Sequence, residues 1–261
     1  MKKPVFNVEF LDRNGELKGN SRRSFLKNTG LLVAGTGLFM YSCSDDELNE
    51  ELLVADAHAA TKRAGQSFNL GKGDIAILNY AYVLEQLEAA FYEKVLEGEY
   101  YKGANAEERG ILQDLYYHEV IHREFLKTAL NSVAPPGKVA PDLILNFSGV
   151  DFDDRETVLT IAQILEDTGV SAYNGAGNLL ENPEYLLVAG KIVSVEARHA
   201  AAIRDLLDPG TTNFASPDIL VNLLGTGPAY DKALDPNVVL SAVAATGFLE
   251  TKIITNNIPT E

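Results

Sequence analysis

The chain holds a single cysteine, Cys43, and no tryptophan among its 261 residues. One thiol forms no intramolecular disulfide and builds no Cys-rich zinc or iron–sulfur site. Basic residues are scarce: 22 Lys and Arg stand against 37 Asp and Glu, a formal charge of −15. A nucleic-acid partner normally requires a basic face, so that class of function is disfavoured. Long apolar runs are lacking too. The uncharged stretch from Asn28 to Tyr41 is too short and too rich in glycine for a comfortable membrane span. β-Strand signals are sparse, and Leu143–Phe147 is the one mild candidate. What is present is an ordinary globular balance, 46% apolar and 23% charged, which excludes wholesale disorder. The length suits one large domain or two small ones with a sizeable core.

The scarce basic charge is concentrated at the start. Ser21-Arg22-Arg23-Ser24-Phe25-Leu26-Lys27 precedes the short apolar stretch, the layout of an export signal, and it resembles the twin-arginine export motif. The apolar stretch stops at Met40-Tyr41-Ser42-Cys43, which resembles a lipoprotein cleavage box with Cys43 as the lipidated residue. Cleavage by ordinary signal peptidase, or an uncleaved anchor, are the other readings. Ser44-Asp45-Asp46-Glu47 resembles the acidic tag of surface lipoproteins in some Gram-negative bacteria. The expectation is a periplasmic or outer-surface lipoprotein exported by the twin-arginine route. Without residues 1–43 the chain keeps 15 basic and 34 acidic side chains, a net −19. Such a body meets a membrane through its lipid only, not through charge.

Residues 44–73 read as a polar tether, with a short helix near 47–63 and His58 as a solvated residue. The pattern then turns helical. Asp74 is the expected N-cap of a helix to about Glu97, closed by Gly98. Asn105 caps a second, with Glu108 at the capping-box position, to about Ser132 before Pro135-Pro136. Asp153 or Asp154 caps a third from Arg155 to Leu180. Asn182-Pro183 opens a fourth, to Leu207 before Asp208-Pro209-Gly210. Asp235-Pro236 opens a fifth, to about Thr255. Long helices joined by turns predict an all-α architecture: a four-helix bundle over 74–207 and an extension over 208–261 that carries the additional helix. The segment Thr211–Leu234 is expected to lie across the bundle surface.

The first and third helices each carry a Glu followed seven residues later by a Tyr: Glu85 with Tyr92, and Glu166 with Tyr173. The second and fourth each carry Glu-x-x-His: Glu119 with His122, and Glu196 with His199. Positions three apart share one face of a helix, so each Glu-x-x-His can approach one metal pair. Seven residues are two turns, which keeps each Tyr on the inward stripe of its Glu. Apolar neighbours such as Leu84, Ala89, Leu165 and Val170 place these glutamates inside, where a carboxylate is costly unless paired or metal-bound. Four carboxylates and two imidazoles suit two iron or manganese ions in a dinuclear site, and two divalent cations would neutralise the four carboxylates. Glu88 lies near the face of Glu85 and is the alternative ligand. His118 sits one turn before His122, either behind the ligands or at the surface, with replacement of Glu119 as a partner the alternative. Arg198 and Arg204 are expected to point elsewhere and form ion pairs.

On these residues the chain resembles the ferritin-like superfamily. Leu78-Asn79, Glu85 and Tyr92 are spaced as in the first helix of bacterioferritin-type proteins. The stretch Leu78–Tyr92, LNYAYVLEQLEAAFY, resembles the exported ferritin-like domain family that includes desiccation-related proteins. The resemblance implies that Glu85 and Glu166 are terminal ligands, that Glu119 and Glu196 bridge the ions, and that His122 and His199 bind one ion each. Tyr92 and Tyr173 would hydrogen-bond ligands, with a redox role as the alternative. The implied function is redox or oxidant-defence chemistry with O2 or peroxide, a catalase- or ferroxidase-like oxidoreductase. The alternative from another class is a non-catalytic structural or interaction module with a structural or vestigial metal site. Iron storage in a cage is a weaker third reading, and a homo-oligomer is compatible with all of them.

Overall fold

The computed structural model describes residues 67–260, apart from 224 and 226. The export-type motif around Arg22 and Arg23, Cys43, the helix expected near 47–63 and His58 lie outside the described residues.

The described residues form six α-helices: α1 (Gly73–Glu97), α2 (Glu99–Gly103), α3 (Ala106–Val133), α4 (Arg155–Gly177), α5 (Pro183–Leu207) and α6 (Pro236–Ala245). α1 packs along α3 and α4 along α5, giving two helical hairpins that face each other. This is the expected all-α bundle with an extra C-terminal helix. Among the described residues no helix is long and apolar enough to cross a membrane.

Caps set most of the helix starts. The side chains of Asn105, Asp154, Asn182 and Asp235 accept hydrogen bonds from the backbone N–H of Glu108, Thr157, Glu184 and Asn237. Two acids have different work from that expected. Asp74 is not the cap of α1; Lys72 holds that position, without a side-chain bond. Its carboxylate accepts from the N–H of Glu181 (2.7 Å) and Asn182 (3.0 Å), pinning the turn between α4 and α5. Asp153 accepts from the N–H of Glu99 at 2.8 Å, at the start of the short helix α2. The Glu108 carboxylate does not close a capping box; it accepts from Arg155 of α4.

α1 is buried without interruption from Ala76 to Ala89. A helix buried all round must be covered on every side. α3 and α4 cover two sides, and the connection between those helices covers another. Two buried polar side chains rivet that connection. Asn79 donates to Lys138 O (2.8 Å) and accepts from Ala140 N (2.8 Å). Gln86, two turns on, donates to Pro141 O (3.3 Å) and accepts from Leu143 N (2.9 Å). Core side chains such as Leu87, Phe91, Leu112, Leu159 and Ile203 are almost fully enclosed. Each contributes about 1.5–3 kcal/mol relative to exposure.

The C-terminal region departs most from the sequence reading. α6 ends at Ala245, not near Thr255, because Gly247 reverses the chain with φ of 75°. The residues beyond it form a strand. Lys252–Ile254 (β4) pairs in parallel with Ser67–Asn69 (β1), in the register Ser67 to Lys252 and Phe68 to Ile253. Between these strands lies the hairpin of Leu220–Val221 (β2) and Tyr230–Asp231 (β3). The mild strand signal at Leu143–Phe147 amounts to one antiparallel bridge, Leu145 to Leu249. α4 stops at Gly177, three residues before the expected Leu180, and turns there through Leu179 and Leu180.

Candidate metal centre

The two hairpins bring six side chains to the middle of the bundle: Glu85 from α1, Glu119 and His122 from α3, Glu166 from α4, Glu196 and His199 from α5. Ligand-type atoms of Glu85, Glu119, His122 and Glu196 lie within 4.8 Å of one another, as do those of Glu119, Glu166, Glu196 and His199. Each group could hold a metal ion, and Glu119 and Glu196 belong to both. The four carboxylates have no exposed surface, and the histidine side chains are 12% (His122) and 4% (His199) exposed.

Distances show how the shared glutamates straddle the centre. Glu119 places Oε1 2.8 Å from His199 Nδ1 and Oε2 3.7 Å from His122 Nδ1. Glu196 places Oε1 2.8 Å from His122 Nδ1 and Oε2 3.4 Å from His199 Nδ1. Each therefore offers one oxygen to each half. Glu85 Oε2 faces the His122 half at 3.4 Å and Glu166 Oε2 the His199 half at 3.4 Å.

The outer oxygens of Glu85 and Glu166 are held by tyrosines. Tyr92 donates its hydroxyl to Glu166 Oε1 at 2.6 Å, and Tyr173 donates to Glu85 Oε1. Each Tyr thus serves the glutamate of the other hairpin, not that of its own helix. On one helix Glu and Tyr are two turns, about 10 Å, apart. The antiparallel crossing of α1 over α4 brings residue 85 level with 173 and residue 92 level with 166.

The inner atoms have no such partners. Glu85 Oε2, both oxygens of Glu119 and Glu196, Glu166 Oε2, and Nδ1 of His122 and His199 are buried with no properly aligned hydrogen bond. Several lie 2.8 Å from a neighbour, but no N–H points along those lines; the atoms converge on common points between them. An orphaned buried polar atom costs about 1–3 kcal/mol. A ring of them, all lone-pair donors, fits a cation at its centre. The donor set of carboxylates and imidazoles without thiolate fits iron or manganese.

Protonation reflects the same crowding. Burial, then the charge of Glu196, pushes Glu85 well above the usual carboxylate range. Burial lifts Glu166 to about 8, against the pull of His199. Burial alone would raise Glu119 also, but its contacts with His122 and His199 outweigh this and hold it at about 2. The carboxylates in turn override burial at the histidines, raising His122 to about 12 and His199 still further. Burial and crowding of like charges thus favour proton uptake by the cluster.

Two further residues border the centre. Glu88 is 3% exposed, and burial, then the charges of Glu119, Glu196, Glu166 and Glu85, push its carboxyl well above the usual range. It lies outside both ligand groups, so Glu85 is the residue of α1 that joins them. Room for Glu88 comes from Gly169 of α4, where an added Cβ would come within 3.0 Å of Glu88 Oε1. His118 is hydrogen-bonded to His199, 2.9 Å from Nδ1 to Nε2. Its spacing, four residues before His122, hinted at neither this partner nor its helix.

Arg204 forms the expected ion pairs, with Asp167 (2.7 Å) and Asp218 (2.9 Å). Arg198 is exposed and forms none among the described residues. A groove of about 310 Å³ lined by Asp167, Phe214, Asp218, Asp231 and Leu234 lies where α4 and α5 meet the segment after α5. No curated protein matches the chain. The sequence profile of the ferritin-like domain matches residues 73–209, more than half of the chain and the whole of α1 to α5. The chain belongs to the ferritin-like domain family.

Proposed function

We propose that this ferritin-like domain holds a dinuclear iron or manganese centre and serves redox or oxidant-defence chemistry with O2 or peroxide. The observation that carries the reading is the set of inward, unsatisfied lone-pair donors on Glu85, Glu119, His122, Glu166, Glu196 and His199. In this reading Glu119 and Glu196 would be shared by the two ions, Glu85 and Glu166 would each hold one, and each histidine would complete one half. A bound pair of such ions supplies two-electron exchange with a small oxidant.

The chain's own residues do the rest. Tyr92 and Tyr173 hold the outer oxygens of Glu166 and Glu85, so each terminal carboxylate presents one oxygen inward. The surrounding apolar side chains exclude bulk water and strengthen each electrostatic contact. Glu88, whose carboxyl burial and the neighbouring charges push well above the usual range, lies beside Glu196 at Gly169 and is the residue placed to donate a proton there.

The finer kinship, with the exported domains that include desiccation-related proteins, rests on the stretch Leu78–Tyr92. Export by the twin-arginine route and lipidation at Cys43 belong to the same reading, since that route carries folded proteins and a metal can be inserted before export. Replacing Cys43 by Ser should then release the protein from membranes, and an unchanged membrane fraction refutes the anchor.

Metal analysis of protein from its native compartment, followed by a peroxide-consumption assay, tests the central reading. About two equivalents of iron or manganese with peroxide turnover support it. Full stability without metal, together with no turnover, makes the bundle a non-catalytic module.

A further inference from the structure

The two halves of the cluster carry the same ligand types in different surroundings. His199 turns Nδ1 toward Glu119, Glu166 and Glu196, and its other nitrogen, Nε2, meets His118 Nδ1 at 2.9 Å. The two rings lie within 9° of parallel with centroids 5.1 Å apart, so they join edge to edge through an N–H···N bond. A ring nitrogen that gives its lone pair to a cation carries no proton. For His199 to bind through Nδ1, its proton must sit on Nε2, and His118 Nδ1 is the acceptor placed to receive it. His118 therefore sets both the tautomer and the ring plane of His199.

The other half has no counterpart. The internal repeat that aligns Glu119 with Glu196 and His122 with His199 aligns His118 with Val195, which offers no polar atom. No hydrogen bond holds His122 Nε2 among the described residues. The His122 side chain is also three times as exposed as that of His199, 12% against 4%.

We infer that the centre has two unequal metal positions. One, at Glu166 and His199, is tight and is held by His118 as a positioning residue. The other, at Glu85 and His122, is exchangeable. Glu119 and Glu196 are common to both. The inference rests on the ligand reading above and adds to it an order of filling and a residue that sets that order.

The test is titration of the metal-free full chain with Mn2+ alone, followed by calorimetry and electron paramagnetic resonance. Binding in two steps is expected, with a mononuclear spectrum after the first equivalent and an exchange-coupled one after the second. Loss of a partner of this kind costs about 10–100-fold in affinity, so His118→Ala should weaken the first step by that factor and leave the second unchanged. His118→Gln keeps a carbonyl acceptor and should restore much of the loss. Val195→His supplies the missing partner and should tighten the second step. His118 is exposed on α3, so the metal-free variants should stay folded and lose no more stability than the one hydrogen bond to His199 contributes. One indistinguishable binding step in the parent overturns the inference. So does a His118→Ala variant that weakens both steps alike or neither, or that lowers the melting temperature with unchanged Mn2+ steps. Absence of any Mn2+ binding by the parent instead sinks the ligand reading beneath it.

Discussion

Tyr173 of α4 donates its hydroxyl to Glu85 of α1, while Tyr92 of α1 donates to Glu166 of α4. The two bonds form an exchange between the hairpins, and they link assembly of the bundle to the aim of two carboxylates. Tyr173→Phe leaves Glu85 Oε1 buried without a donor, a loss of about 1–3 kcal/mol. Tyr92→Phe should cost Glu166 a similar amount. Urea unfolding of the metal-free variants checks this, and a loss near zero for both would show that the hydroxyls are dispensable.

The shared glutamates give the sharpest test of the centre. Glu119 and Glu196 each offer an oxygen to both halves. The double variant Glu119→Ala with Glu196→Ala is expected to lose dimetal loading altogether. Equilibrium dialysis against Mn2+ measures it. Two equivalents bound as tightly as in the parent would show that the ligands lie elsewhere.

Stability should depend on pH in opposite senses with and without metal. Glu85, Glu166, His122 and His199 bind protons more tightly when folded than when unfolded. Their contribution is fully present below the unfolded values, near 4.5 for Glu and 6.5 for His, and is lost as pH rises through the folded ones. Glu166 loses its share between about 4.5 and about 8, and His122 between about 6.5 and about 12. Glu119, held at about 2, acts in the other direction, and its share is lost only as pH falls below about 4.5. The metal-free protein should therefore melt at a lower temperature at pH 9 than at pH 6, by about 5 °C or more if the change is about 2 kcal/mol. Mn2+ competes with those protons, so its stabilising effect should grow over the same interval. Thermal melts at both pH values, with and without Mn2+, would reveal a parallel response if the cluster were inert.

Arg204 fastens the segment after α5 to the bundle. Its side chain is 2% exposed and pairs with Asp167 and Asp218. Arg204→Ala leaves the two aspartates facing one another without a cation, and should cost about 2–3 kcal/mol, since Asp218 remains partly solvated. Limited proteolysis between 211 and 234 should accelerate. Unchanged cleavage there would mean that apolar contacts such as Phe214 hold the segment unaided.

The helices and their inward residues were legible from spacing alone. Capping by Asn105, Asp154, Asn182 and Asp235 acts within three residues, and Glu-x-x-His lies within one turn, so both are properties of the local chain. The six residues singled out for the centre are the six that the bundle gathers. Asp74 misled because a carboxylate near a helix start satisfies any N–H in reach, and here the nearest belonged to another segment. The strand Lys252–Ile254 was missed because its partner, Ser67–Asn69, lies about 185 residues away in the chain.

The amino-acid order by itself thus determined which side chains face inward and what chemistry they offer, because helical period and capping are short-range. Only the tertiary structure decided which of them meet. The antiparallel crossing of α1 and α4 exchanged the tyrosines between hairpins, and the approach of α3 to α5 joined His118 to His199. Neither contact has a local signature, since each depends on how two helices are set against one another across the core.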